Sequence, residues 1–138
     1  MLKKLLPALV VFVIFGLLPA FALATSSRPE AKFVIGKASY EVDGQVKKMD
    51  AAPFVQNNRT YVPVRYLALA LGVAEKDILW DDKTRTVTLT LGNATLRLTV
   101  GSKTLYVNSQ AKQMDVAPVI RNKRTYLPAR WVAEAFGY

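Results

Sequence analysis

The chain has 138 residues, enough for one modest domain, and contains no cysteine and no histidine. This argues against disulfides, against zinc, copper or non-haem iron sites, and against nucleophilic catalysis with a histidine base. The 19 basic residues exceed the 10 acidic ones, and the formal charge of +9 favours either an anionic partner or a surface charged for solubility.

The N-terminus has the three parts of a secretory signal peptide in order. Lys3-Lys4 gives a positive start, residues 5–24 carry no charge, and Ala22-Leu23-Ala24 is the small-x-small pattern of a cleavage site. We therefore predict a signal peptide over residues 1–24, cleaved between Ala24 and Thr25, and a secreted or cell-surface protein. Twenty uncharged residues can also span a bilayer, so an uncleaved membrane anchor is the alternative.

An internal repeat follows a short polar linker, residues 25–32. The segments 50–72 and 115–137 align without a gap and share 12 of 23 positions. We interpret residues 33–138 as one domain in which repeat blocks 33–72 and 98–137 are joined by a β-hairpin region, residues 78–100.

Each block predicts the same elements in the same order. In the first block, Asp43-Gly44 is a hairpin signal between short alternating segments, and Asn57-Asn58 is a turn that follows a short strand. Pro63 suits the first turn of a helix, residues 64, 67, 68 and 71 share one apolar helical face, and Gly72 ends the helix.

The region between the blocks predicts strands. Residues 78–80 are apolar, 81–84 form a turn, and residues 86–91 and 95–100 alternate with period two, as in a half-buried antiparallel hairpin. The predicted fold class is α+β, with antiparallel sheet and hairpins packed on two short helices.

Three charged residues of the first block recur in the second, which gives three equivalent sets: Asp50 and Asp115, Arg59 and Arg124, Arg65 and Arg130. The arginines at 65 and 130 fall near helix N-termini, where a cation is disfavoured by about 0.3–1 kcal/mol. We predict that the two aspartates form structural ion pairs with them, while the arginines at 59 and 124 compete for the same carboxylates. A ligand-facing arginine is the alternative.

No constellation predicts catalysis or a cofactor. The serines have no histidine base, and the acidic cluster of Asp77, Asp81 and Asp82 is more simply a β-turn than a calcium site. We predict a non-catalytic interaction module. A small cell-wall-acting enzyme fragment with paired carboxylates is the alternative, as is a membrane-anchored scaffold.

The second block carries extra positive charge in one turn. Arg121, Lys123 and Arg124 cluster there, whereas the first block has neutral residues in place of the first two, so the shared scaffold is not expected to require those charges. An exported protein meets wall polymers and lipid headgroups first, so we predict contact with anionic cell-envelope polymers or envelope proteins and expect no nucleic acid. A merely solvated charged surface is the alternative.

The repeated motif Pro-x-x-x-Asn-x-Arg-Thr-Tyr-x-Pro-x-Arg, followed by an alanine-rich helix ending in glycine, resembles a known module. It is similar to the copper amine oxidase-like N-terminal domain, or stalk domain, of exported bacterial proteins. Trp80-Asp81 followed by residues 86–88 matches the pattern of that family between its two blocks. The resemblance implies an antiparallel sheet around a helix that serves as a stalk or accessory module on cell-surface proteins. It carries over no copper or quinone residue of the oxidase.

Overall fold

The computed structural model describes Leu9–Phe12 and residues 29–138. In this part of the chain the strands form three antiparallel sheets, which pack on two short helices. The predicted α+β class is therefore confirmed.

The N-terminal sheet contains four strands in chain order: β1 (Leu9–Phe12), β2 (Ala31–Val34), β3 (Ser39–Val42) and β4 (Gln45–Lys48). Strand β2 begins inside the predicted linker, so the sheet starts slightly before the expected domain boundary. Strand β1 belongs to the predicted signal segment and pairs antiparallel with β2. The predicted cleavage site, Ala24 and Thr25, lies outside the described residues.

The long sheet is a meander of five strands: β7 (Ile78–Asp81), β8 (Thr86–Leu91), β9 (Ala94–Thr99), β10 (Thr104–Val107) and β11 (Gln110–Gln113). A 3-10 turn, Glu75–Asp77, precedes it. Alternate residues of β8 and β9 are buried, and the threonines between them bond across the pair, as Thr86 and Thr99 do at 2.8 Å. The period-two pattern of this region therefore forms the predicted hairpin.

The central sheet joins the two blocks in the order β12-β13-β6-β5. It contains β5 (Phe54–Gln56), β6 (Arg59–Pro63), β12 (Val119–Arg121) and β13 (Arg124–Pro128). In the pairing of β6 with β13, Val62 lies opposite Leu127, and these two residues occupy equivalent positions of the two blocks. The register is therefore symmetric about this pair, as expected of two blocks related by a local two-fold axis.

The helices are α1 (Val64–Ala70) and α2 (Ala129–Ala135). Pro63 and Pro128 were expected in the first helical turn, but each is the last residue of a strand, because their ψ angles of 134° and 105° are extended. Each helix ends before a glycine with positive φ, which only glycine adopts without strain: 102° at Gly72 and 92° at Gly137.

The main core lies between the sheets and the helices. Its fully buried side chains come from both blocks and from the hairpin between them, including Phe33, Val62, Leu67, Leu98 and Leu127. None of the helices in the described part of the chain has the length and hydropathy needed to cross a bilayer.

Candidate functional site

The recurring aspartates form ion pairs that cross between the blocks. Arg59 of the first block donates from Nε to Asp115 Oδ2 at 2.9 Å, and Arg124 of the second block lies 3.0 Å from Asp50 Oδ2. Each carboxylate is about half exposed, at 49% for Asp115 and 51% for Asp50. These pairs therefore tie the two blocks together at the surface.

The expected pairing of Asp50 and Asp115 with the helix-start arginines was wrong. Arg65 instead pairs with Glu75 at 2.6 Å, and both side chains are more than half exposed. Arg130 is exposed and forms no ion pair with any described residue. The physical reason is the central sheet, because it brings the strand arginines of one block next to the aspartate of the other.

Asp115 has a second partner that sets it apart from Asp50. The indole Nε1 of Trp131 donates to Asp115 Oδ1 at 2.9 Å. The hydrogen bond from Arg59, followed by that from Trp131, holds the pKa of Asp115 below its ordinary value, and the same ion pair raises the pKa of Arg59. Asp115 is therefore held in its charged form.

An aromatic cluster lies on the face of the central sheet that also carries the ion pair of Arg59 with Asp115. Phe54 stacks on Tyr61 with the ring centroids 5.3 Å apart and meets Tyr126 at 4.7 Å in a tilted arrangement. Tyr61 is buried and donates its hydroxyl to the Ala117 carbonyl at 2.8 Å; burial raises the pKa of this hydroxyl. The cluster is a satisfied packing unit with no reactive group.

Two arginines of the basic turn, Arg121 and Arg124, form contacts within the molecule. The guanidinium carbon of Arg121 lies 3.6 Å from the centroid of the Phe54 ring, and its Nη2 donates to Gln56 Oε1 at 3.2 Å. Arg124 holds Asp50. Arg121 therefore bridges to the first block, a contact that the comparison of the two turn sequences did not predict.

Lys123, the third cation of that turn, lines a groove between β7 and the edge of the central sheet. The groove has a volume of ≈ 470 Å³. Its lining residues are Val64, Ile78, Leu79, Trp80, Asp82, Arg85, Val87, Ile120, Lys123 and Thr125. Three of its large apolar side chains are exposed: Leu79 at 56%, Trp80 at 42% and Ile120 at 38%.

Both apolar and polar side chains line the groove. Trp80 Nε1 donates to Asp82 Oδ1 at 3.2 Å, which fixes the indole, and Asp81 Oδ1 accepts from the backbone N–H of Lys83 at 3.0 Å within the turn. Arg85 and Lys123 contribute two positive charges against the one of Asp82. This arrangement can hold a ligand with an apolar face and an anionic group.

Sequence reasoning singled out Lys123 as a contact residue but did not predict this groove. Trp80 was assigned to a strand and to a family pattern, Asp82 to a turn, and Arg85 was given no role. The one sequence feature that could have indicated Arg85 is its position directly after the Asp-Asp-Lys-Thr turn. Its proximity to Lys123 could not be predicted, because it depends on strands from different parts of the chain.

The arrangement does not suit copper. The sequence has no histidine and no cysteine, and the described residues hold no group of three or more metal-ligating side chains. Copper in proteins draws on imidazole and thiolate ligands. The residues present therefore do not fit a copper site.

These features define a small α+β fold of antiparallel sheets on two short helices, with a surface groove. The family model of the copper amine oxidase N-terminal domain matches residues 23–138. The chain therefore belongs to this family, and the part it matches is the N-terminal domain rather than the catalytic one. A comparison with curated proteins found no match.

Proposed function

We propose that this chain is an exported, non-catalytic module of the cell envelope that contacts an anionic polymer through the groove around Trp80. The observation that carries the proposal is that Arg85 and Lys123 line the same groove as an exposed indole and several apolar side chains. Export is supported by the signal-like segment that ends at Ala24.

The backbone conformation at Arg85 and Lys123 supports a functional role for the groove. Arg85 has φ 57° and Lys123 has φ 64°, a left-handed conformation that costs a non-glycine residue about 1–2 kcal/mol. Asparagine tolerates this region better, and Asn58 occupies the position in the first block that corresponds to Lys123. Strain of this kind concentrates at functional sites, so it supports a role for the charge of Lys123.

The polymer that fits has a sugar-like apolar face and phosphate or carboxylate groups. An indole presents an apolar surface to such a face, while arginine and lysine bind oxyanions. Arg121 and Arg124 belong to the internal contacts described above, so the contact set is Trp80, Arg85 and Lys123. Electrostatic contact of this kind is screened over about 8 Å at physiological ionic strength.

A matched pair of double variants tests the groove. Lys123→Asn with Arg85→Asn should weaken binding to purified anionic wall polymer at least tenfold in low salt, measured by calorimetry. Lys112→Asn with Lys47→Asn removes the same charge from exposed strand positions outside the groove and should weaken binding far less. Equal weakening by both pairs would mean that the charge acts without the groove, which would overturn the assignment.

Export is tested separately. Expression of the full chain in an exporting host should yield protein beginning at Thr25, identified by mass spectrometry. Retention of residues 1–24 in the membrane fraction would instead support an anchored scaffold. The enzyme alternative is disfavoured because, of the described residues that line the groove, Asp82 is the one carboxylate, whereas glycoside hydrolysis uses a pair.

A further inference from the structure

Four strands of the long sheet, β8–β11, are arranged like the four strands of the N-terminal sheet, while β7 has no counterpart there. When the two repeat blocks are aligned, β3 corresponds to β10, β4 corresponds to β11, and β2 corresponds to the last four residues of β9. In the long sheet the outer neighbour of β9 is β8, which follows the first block in the chain. In the N-terminal sheet the corresponding place beside β2 is taken by β1.

The registers of the two pairings are the same. Val10 lies opposite Phe33 and Phe12 opposite Ala31. At the equivalent positions of the long sheet, Val87 lies opposite Leu98 and Leu89 opposite Leu96. The backbone of β1 therefore follows the path of β8, with apolar residues two positions apart at the same register.

The place beside β2 belongs to the main core. Ala31 and Phe33 are 1% and 0% exposed and lie in the same core cluster as Leu96 and Leu98 of β9. A strand that loses its neighbour has backbone N–H and C=O groups available along that edge, and such an edge binds extended chains. The pairing of β1 with β2 covers four positions, whereas that of β8 with β9 covers six. All four residues of β2 are thus paired with β1, as every residue of the longer strand β9 is paired with β8.

We infer that the outer edge of β2 is a strand-acceptor site, which β1 fills while the signal segment is attached. This inference rests on the proposed export and cleavage, because removal of residues 1–24 also removes β1. The exported form then binds an extended strand of another polypeptide that carries bulky apolar residues at alternate positions, by β-augmentation. Specificity comes from the alternate side chains that reach Ala31 and Phe33.

The probe is a labelled peptide with the sequence of β8, Thr86–Leu91, extended by its preceding turn. It is added to the purified exported chain, whose N-terminus is established by mass spectrometry, and binding is followed by fluorescence anisotropy. Two control peptides carry N-methyl groups on alternate residues, one set on positions 86, 88 and 90 and the other on 87, 89 and 91. We expect saturable binding of the parent peptide, at least tenfold weaker binding of one methylated peptide, and unchanged binding of the other.

Each outcome decides the inference. Equal binding of the parent and both methylated peptides, or no binding to a folded chain that lacks β1, overturns it. If the exported chain lacking β1 is unfolded, the peptide must restore its circular dichroism, and failure to do so also overturns the inference. If the exported chain retains β1, the peptide should bind only after Val11→Pro disrupts the β1–β2 pairing. Absence of cleavage would count against the proposed export, whereas the strand-acceptor inference would still be decided by peptide binding to the Val11→Pro variant.

Discussion

The carboxylates of Asp50 and Asp115, which occupy equivalent positions of the two blocks, differ in the number of donors from which they accept. Asp115 accepts from Arg59 through two nitrogens and from Trp131, whereas the ion pair of Asp50 with Arg124 is a single contact at 3.0 Å. An exposed ion pair in which the carboxylate accepts from several donors contributes more to stability than a pair with a single contact.

Replacing the two aspartates one at a time should therefore give unequal losses of stability. We expect Asp50→Ala to lower the free energy of unfolding by about 0–1 kcal/mol, the range of exposed ion pairs. Asp115→Ala should lower the urea midpoint further, because Arg59 and Trp131 both lose their acceptor. Equal midpoints for the two variants would show that the extra donors of Asp115 contribute nothing.

The contribution of Asp115 should also depend on pH. Its pKa is lower in the folded chain than in the unfolded one, because Arg59 and then Trp131 donate to the charged form. A group of this kind stabilises the fold above its unfolded pKa, about 3.9, and loses that contribution as the pH falls through the folded pKa. We expect Asp115→Asn to be less stable than wild type at neutral pH and the difference to shrink below about pH 3.9. Urea denaturation at a series of pH values measures this, and a constant difference would contradict it.

Among the elements, four of the hairpin turns share one backbone conformation. Four turns have positive φ at both central residues, as type I′ turns require, and their sequences are Asp43-Gly44, Asn57-Asn58, Asn108-Ser109 and Asn122-Lys123. Lysine is the least suited of these residues to its position, since glycine, asparagine and aspartate tolerate this region better.

Lys123→Asn should therefore stabilise the protein while it weakens polymer binding. We expect a gain of about 0.5–1 kcal/mol from relief of the left-handed backbone at this position. The matched control Lys112→Asn lies on β11 without a positive φ and should give no gain, because asparagine is depleted in strands. Thermal denaturation of both variants measures the effect, and a loss of stability in Lys123→Asn would contradict it.

The sequence was most informative where structure depends on neighbours along the chain. The Asp43-Gly44 hairpin, the helical face at Leu67 and Ala68, and the alternation in β8 and β9 follow from local periodicity and turn chemistry. The partner of Asp115 was not predictable in this way, because Arg59 lies 56 residues away and is brought close only when the blocks meet. The groove was missed for the same reason.

At the scale of the whole molecule, the two blocks share one sheet and one core. Strand β6 of the first block pairs with β13 of the second, α1 and α2 pack on these strands, and the ion pairs cross the same junction. The main core also draws residues from both blocks. Neither block closes its own core, so the repeat is expected to unfold as one unit.

Leu127→Ala tests this cooperativity at the centre of the junction. Leu127 is fully buried opposite Val62, and truncation of a buried leucine costs about 2–5 kcal/mol. Because the side chain packs into the core shared by both blocks, tryptophan fluorescence and far-ultraviolet circular dichroism should shift together in urea, with one transition in each. The control Leu79→Ala, on an exposed side chain of the groove, should change stability by no more than about 0.5 kcal/mol. Two separated transitions in the Leu127 variant would mean that the blocks unfold independently and that the shared sheet does not couple them.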